Sequence, residues 1–597
     1  VAYAYDAYKR VVSVKRFKED GQPDPCQCAS YYYDRNPFDA SFSGNAGGRL
    51  AAVQWGDASV LPGLMTEMYR YTPSGRIAAK RIDLTRGGRT ATLDLNYGYD
   101  AEGRVSTVVY PHRGPVLHYG YDSMGRQNLL ACGEDILVKD VAYSAAGHLS
   151  SLKQLVPETG DYVEERRAYD DKCHLRRIVA AQFSNEQKGG RKPLIDLEYS
   201  YNSGDGRVSG EVDRLAGEET VYNYDVSGRL QSSGSRSRRW GIDYRYDGFG
   251  NLIGWSEQGV SDRTVQAISD PATNRLVLHD VDYDNNGNTI KLPGMKLDYD
   301  IENRLVRLER SDGRCERYAY DQSNRRIWRQ APGGEEELFF YGSEGKLLAK
   351  YELVDMPGEQ PDFRLADYQI HFADRLLRSG DESLVLDRLG SVRARAGRMK
   401  GNRRTTFRPF GGLPQADRLN RPMFGSFYRD EISELDYAEQ RYYSSALGRF
   451  ITPDPYEGSV RLDEPESWNR YAYADNDPVN NVDPHGACPN RTPWCTNYNC
   501  PAYNGVWLYG GMIDYSGYCA YNHIYYEPHM VVAVTAQAPP TQQQETLQAV
   551  SAYAAGAGDL TLQAATAGIT IGSVVSAPFD PRSWITIMLY IAGMMSD

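Results

Sequence analysis

Basic charge is in short supply in this sequence. Its 67 Lys and Arg are outnumbered by 79 Asp and Glu, giving a formal net charge of −12. Broad binding of nucleic acid or anionic membrane needs concentrated cations, so the body of the chain is expected to bind no nucleic acid. Cysteine is also scarce: nine in 597 residues are too few for a disulfide scaffold of this size. No phosphate-binding loop, dinucleotide fingerprint or HExxH helix occurs, and no cofactor is expected. The last apolar run, Trp584 to Met595, is about 12 residues, short of the roughly 20 that a bilayer span needs. Phe occurs 15 times against 46 Tyr, so the aromatic surface carries hydroxyls. What remains, 41% apolar and 24% charged residues, is enough for a folded core.

Repetition dominates the N-terminal part. The unit reads Tyr-Asp-x-x-Gly-Arg/Asn and an aliphatic residue usually follows. Clear copies are YDAEGRV at Tyr99, YDSMGRQ at Tyr121, YDVSGRL at Tyr224 and YDGFGNL at Tyr246. Variants begin at Tyr71, Tyr143, Tyr201, Tyr283, Tyr299 and Tyr320. A recurrent spacing of about 22 residues lies in the range of repeat arrays. Asp first and Gly fourth suit a type I turn, with the carboxylate accepting local N–H groups and Gly supplying a left-handed close. Asn303 and Asn324 can adopt the same conformation where Gly is missing. Alternating flanks, as in VYNYDVSGRLQSS, read as strand–turn–strand. The pattern predicts an all-β chain of stacked hairpins; an ordinary sandwich would share the turns but not the fixed heptapeptide.

These units resemble the YD repeats of the RHS family, which includes bacterial Rhs toxins, C components of ABC toxins and teneurins. The resemblance implies a YD-repeat β-hairpin spiral forming a hollow shell. A second match is more specific: LDRLGSVR (Leu386 to Arg393), FRPFG (Phe407 to Gly411), RYYSSALGRFITPDP (Arg441 to Pro455), WNRYAY (Trp468 to Tyr473) and NDPVNNVDPHG (Asn476 to Gly486). In that order they resemble the RHS repeat-associated core domain. The expected division is a repeat shell at 1–380, the core domain at 381–486, a Tyr/Cys-rich variable region at 487–535, and a linker with an Ala/Gly-rich apolar tail at 536–597. The chain starts at Val1 already in pattern by Tyr5-Asp6, which predicts that it continues a longer protein.

The resemblance also implies a chemistry. In cleaving relatives the core domain resembles an aspartyl protease acting on its own chain just past DPxG. Asp454 and Asp483 would be the catalytic pair, Arg449 would orient a carboxylate, and the cut would fall at Ala487–Cys488. Two close carboxylates cannot both ionise easily, so one can act as acid and the other as base. Ala487 stands where cleaving relatives usually have Leu. The competing reading makes both aspartates simple Asp-Pro turn starters.

Beyond Gly486 there is no Lys, and the repeats stop. Cys495, Cys500, His523 and His529 have zinc-like ligand types at an unusual spacing, and two disulfides or free thiols remain open alternatives. AQAPPTQQQ (Ala536 to Gln544) reads as a flexible spacer, and an irregular or helical tail capable of membrane contact follows.

The expected function is a shell that encapsulates and delivers a variable C-terminal cargo of polymorphic-toxin type, secreted or at the cell surface. Its expected partners are its own cargo, a secretion apparatus and an immunity protein. The alternative is a non-catalytic adhesion protein whose Tyr-rich faces bind cell-surface glycans.

Overall fold

The computed structural model describes residues 1–487, apart from 19, 158, 185–189, 238–239, 259–262, 356–359, 398–402, 414–420 and 456–464, together with the strand pair Val534–Thr535 and Thr570–Ile571. The chain divides into two units, Val1–Gly510 and Gly511–Asp597. In the second, the described part is that one antiparallel pair. Within the expected irregular or helical tail the described residues are the strand Thr570–Ile571, while the linker and Cys495, Cys500, His523 and His529 lie outside the described residues.

The first unit is built of strands, and no α-helix occurs among the described residues. A 21-stranded sheet runs from Ala2–Tyr5 to Arg263–Gln266, and a 13-stranded sheet from Asp282–Tyr283 to Arg403–Arg404. Each strand pairs antiparallel with its neighbour in sequence, so both sheets are simple meanders. The second continues through the expected boundary at 380/381, where Arg378 pairs with Ser383.

The repeat explains the regularity. At Asp100 the turn closes through Gly103 N–H to the Asp100 carbonyl and Asp100 N–H to the Arg104 carbonyl, both 3.0 Å. One Asp100 carboxylate oxygen accepts the Arg104 N–H at 2.7 Å, and the other accepts Arg104 Nε at 2.6 Å. Gly103 has φ +79°, and Asn303 takes φ +60° in the equivalent place. The register then slips by one residue at the repeat tyrosine, as between Gly98 and Tyr99, the bulge that a type I turn with a left-handed close produces.

Consecutive units are also laced together. The Tyr121 hydroxyl donates to the Val105 carbonyl at 2.7 Å, while the Arg104 guanidinium lies 4.4 Å from the Tyr121 ring centre. Arg126 and Tyr143, Arg229 and Tyr246, and Arg304 and Tyr320 repeat the arrangement. Each unit's Arg thus holds its own Asp and covers the next unit's Tyr, adding a hydrogen bond worth ~1 kcal/mol and a ring contact worth about 0.5–1 kcal/mol.

The second sheet follows the first in the same order, one circuit later. Lys80 Nζ donates to the Tyr341 carbonyl, 261 residues on. Further along, Gln154 reaches Leu384 at a separation of 230, Glu211 meets Arg393 at 182, and Glu257 meets Arg408 at 151. The falling separation means that the second circuit is the shorter, so the spiral narrows toward one end. One face of the first circuit, including Leu93, Leu95, Leu117 and Leu130, shares a core with Leu338, Phe340, Ile370 and Phe372 of the second.

Candidate active site

The narrow end is filled by residues 421–487. Five short strands, from Arg421–Pro422 to Arg449–Phe450, form a separate small sheet. Phe424, Phe427, Tyr443, Phe450 and Tyr473 pack against one another beneath it, with Tyr443 and Tyr473 ring centres 4.6 Å apart. The repeat turns encircle this plug. Asn480 accepts from Val208 N–H and donates to Tyr224 Oη, both at 2.9 Å. Asn476 donates to the Gly250 carbonyl, Tyr471 to Gly287 and Gln440 to Ser323. The plug's polar motifs, NDPVNN above all, are therefore its grip on the wall.

Within this plug the structure brings Asp454, Asp483 and Ala487 together. A single guanidinium nitrogen, Arg441 Nη2, lies 3.4 Å from Asp454 Oδ2 and 3.2 Å from Asp483 Oδ2. The two carboxylates can therefore be no farther apart than those distances laid end to end. All three side chains are at most 5% exposed. Arg441 is fixed from several sides: Nε donates to the Gly486 carbonyl, Nη1 to the Arg470 carbonyl at 2.9 Å, and the guanidinium covers the Phe450 ring at 3.6 Å. Asp454 N–H donates to the Arg470 carbonyl at 2.9 Å, and Arg470 returns a bond to the Asp454 carbonyl.

The segment after Asp483 folds back onto this cluster. Ala487 N–H donates to Asp483 Oδ1 at 3.1 Å, and Ala487 is fully buried. Gly486 has φ +67°, and a Cβ there would stand 2.7 Å from the Ala438 carbonyl oxygen, so this turn requires glycine. The far side of the expected bond, Cys488, lies outside the described residues.

The guanidinium that bridges the two aspartates is Arg441, whereas Arg449, the residue expected from sequence, points elsewhere. Its Nη2 donates to the Asn274 carbonyl at 2.8 Å, and it covers the Tyr471 ring at 4.4 Å. Burial lowers the Arg449 guanidinium from its ordinary value. Both arginines belong to the motif RYYSSALGRF. The first emerges from a hairpin beside residues 483–487, and the second lies on the strand facing Ala472 and a repeat turn. Arg441 stands at the head of the motif, 13 residues before Asp454, and nothing local in the sequence sets it apart from Arg449.

Two neighbours carry displaced titrations. Burial raises the Asp477 carboxyl to about 6, against the pull of Asn480 and Arg207. Burial pulls the His485 imidazole down, but Glu439 and then Asp483 outweigh it and hold it above its ordinary value. Among the described residues no group of His, Cys, Asp and Glu is arranged to hold a metal ion, and no helix is long and apolar enough to cross a membrane.

Comparison with known proteins agrees with this architecture. The family model described as Teneurin YD-shell matches residues 206–479. The tRNA3(Ser)-specific nuclease WapA of Bacillus spizizenii is 25% identical over 265 residues, covering 41% of this chain and 11% of that protein. The probable deoxyribonuclease RhsA of Dickeya dadantii is 24% identical over 462 residues, covering 71% and 29%. The crystal structure of TcdB2-TccC3-Cdc42 superposes with a TM-score of 0.61 at 16% identity, over 81% of this chain and 27% of that one, a likeness of fold. The chain thus spans under a third of the length of each of these relatives.

Proposed function

Because this chain is an RHS/YD-repeat protein, we propose that it is the shell of a secreted or surface-delivered toxin of polymorphic type, which encloses the segment after residue 487 and cuts it free. The observation that carries the cutting step is Arg441 bridging Asp454 and Asp483 beside the buried Ala487. A shared guanidinium would also serve two buried aspartates with a purely structural role, so it is the return of the Ala487 N–H to Asp483 that ties this cluster to a peptide bond.

The ionised carboxylate of the pair takes a proton from water. The oxygen attacks the Ala487 carbonyl carbon, and the protonated carboxyl gives its proton to the departing Cys488 nitrogen. The carbon–nitrogen bond breaks, leaving an Ala487 carboxylate and a Cys488 amine. Arg441 holds both aspartates beside the Gly486 carbonyl, and tethering supplies the substrate at high effective concentration. The nuclease names of two relatives fit a shared shell with differing cargo; secretion apparatus and immunity protein are the corresponding partners.

The test is the intact mass of the full chain at neutral pH beside Asp454→Asn and Asp483→Asn. Two fragments meeting at Ala487–Cys488 in the wild type alone support self-cleavage. A single full-length mass in all three removes it. The alternative, glycan adhesion through repeat tyrosines, has less in its favour: Tyr121, Tyr143, Tyr246 and Tyr320 are each covered by an arginine and bonded to the preceding unit.

A further inference from the structure

The DPHG turn is gripped by one tight loop. In the strand pair Asp436–Ala438 and Arg441–Ser444, Ala438 faces Arg441, so Glu439 and Gln440 are the whole connection. Glu439 sits at φ +58°, a left-handed conformation unfavourable for a residue with a long side chain. Such a conformation persists where the surroundings over-determine it, often at functional sites. Four contacts run from this loop to residues 483–487. Gln440 N–H donates to the His485 carbonyl at 3.1 Å, and Arg441 Nε donates to the Gly486 carbonyl. The Ala438 carbonyl closes against Gly486. The fourth joins two side chains: His485 Nδ1 lies 2.9 Å from Glu439 Oε2. The first three engage the backbone of the turn and depend on no side chain at position 485. The fourth depends on this histidine and this glutamate.

We infer that His485, paired with Glu439, is a positioning residue for cleavage after Ala487: the pair seats the turn 483–487 on the Glu439–Gln440 loop and so holds the scissile carbonyl against the Asp454–Arg441–Asp483 cluster. The inference rests on the self-cleavage reading and adds to it a residue outside the aspartate pair. His485 touches no reacting atom; it acts through the placement of the turn.

The charges around the pair are balanced so that Glu439 is the carboxylate His485 meets. His485 borders a cavity of about 420 Å³. Across it Lys346 pairs with Asp374 at 2.9 Å, Arg167 and Arg375 share Glu165, and Asp387 faces Arg393 at 3.6 Å. Arg388, His371, Tyr341, Tyr428 and Tyr437 are the other titratable groups in its lining. Of the groups that reach His485, Glu439 and Asp483 favour its protonated form and Lys346 opposes it. The imidazolium is therefore the form that the site selects at mildly acid pH, and the pair weakens as the proton leaves.

The experiment follows full-length chain made by cell-free translation, pulse-labelled and chased at a series of pH values, with cleaved fraction read against time. Wild type, His485→Gln, Glu439→Gln and the exchange Glu439→His with His485→Glu are compared, and near-ultraviolet circular dichroism confirms that each is folded. The expected result is that either single variant is slower by about tenfold near pH 5.5, that the ratio to wild type approaches one near pH 8.5, and that the exchange recovers most of the rate. Equal rates in wild type and His485→Gln at every pH overturn the inference and leave self-cleavage standing. A loss that is the same at every pH and unrelieved by the exchange makes His485 a packing residue and overturns it too. Wild type that stays intact throughout removes the self-cleavage reading and this inference with it.

Discussion

Arg326 and Asp430 form an ion pair in which neither side chain is exposed, 104 residues apart in the chain. The second contact, Nη2 to Oδ1, is 3.0 Å. The guanidinium is surrounded by the rings of Tyr318, Phe339, Tyr428, Tyr437 and Tyr442, and Tyr442 accepts a further bond at 2.9 Å. One partner belongs to the wall and the other to the plug. Removing Asp430 leaves the Arg326 guanidinium buried without its counter-ion, and removing Arg326 leaves the Asp430 carboxylate with only the longer contact to Arg329 at 3.5 Å. Arg326→Met or Asp430→Asn is expected to cost about 3–5 kcal/mol, and Arg326→Met with Asp430→Leu clearly less than the sum of the two single losses. Urea unfolding midpoints of the four proteins check this; additive losses would show that the pair is not coupled.

The grip of the plug should depend on pH through Asp477. Its carboxyl, raised to about 6 by burial, also meets Arg207 at 3.3 Å and the Asn480 amide at 2.9 Å. A carboxyl whose folded value lies above its unfolded one contributes stability below about pH 4 and loses it as pH rises through about 6. Asp477→Asn is expected to equal or exceed wild-type stability at pH 7.5, by at most about 3 kcal/mol, and to lose that advantage near pH 4. Thermal or urea unfolding at the two pH values measures the difference.

The lacing between units predicts a local effect. Tyr121→Phe removes the bond to the Val105 carbonyl but keeps the ring under Arg104. A loss of about 1 kcal/mol is expected, with faster hydrogen exchange confined to the strands near 105 and 121. Exchange that quickens across the whole first sheet would mean that the units do not open separately.

Arg441 and Arg449 should separate in function. Arg441→Lys cannot reproduce the planar contacts to Asp454, Asp483 and the Gly486 carbonyl, so self-cleavage should fall by at least about 100-fold. Arg449→Lys, which disturbs contacts to Asn274 and Tyr471, should change cleavage less than about fivefold while lowering stability. The reverse order in a fragment assay would restore the role first expected of Arg449.

The repeat was legible because its chemistry is local. Asp100, Gly103 and Arg104 complete the turn within five consecutive residues, so one heptapeptide read once explains the copies that keep these residues; at Tyr201 an extra residue lengthens the turn, with Gly206 N–H reaching the Asn202 carbonyl. Asp454 and Asp483 were legible through their motifs. Arg441 was not separable from Arg449 in the sequence, because the choice depends on residues 483–487 returning to one hairpin loop.

By itself the sequence determined the all-β class, the turn at each Asp, the left-handed close at each Gly or Asn, and the family to which these belong. Such features involve neighbours whose separation is set by covalent geometry, so composition and spacing suffice. Only the tertiary structure decided that the spiral narrows as its second circuit shortens, that a ring of repeat turns holds the plug, and that Arg441 joins the two aspartates. Those contacts join residues from 13 to 272 positions apart, and which partners meet is settled by closure of the whole coil.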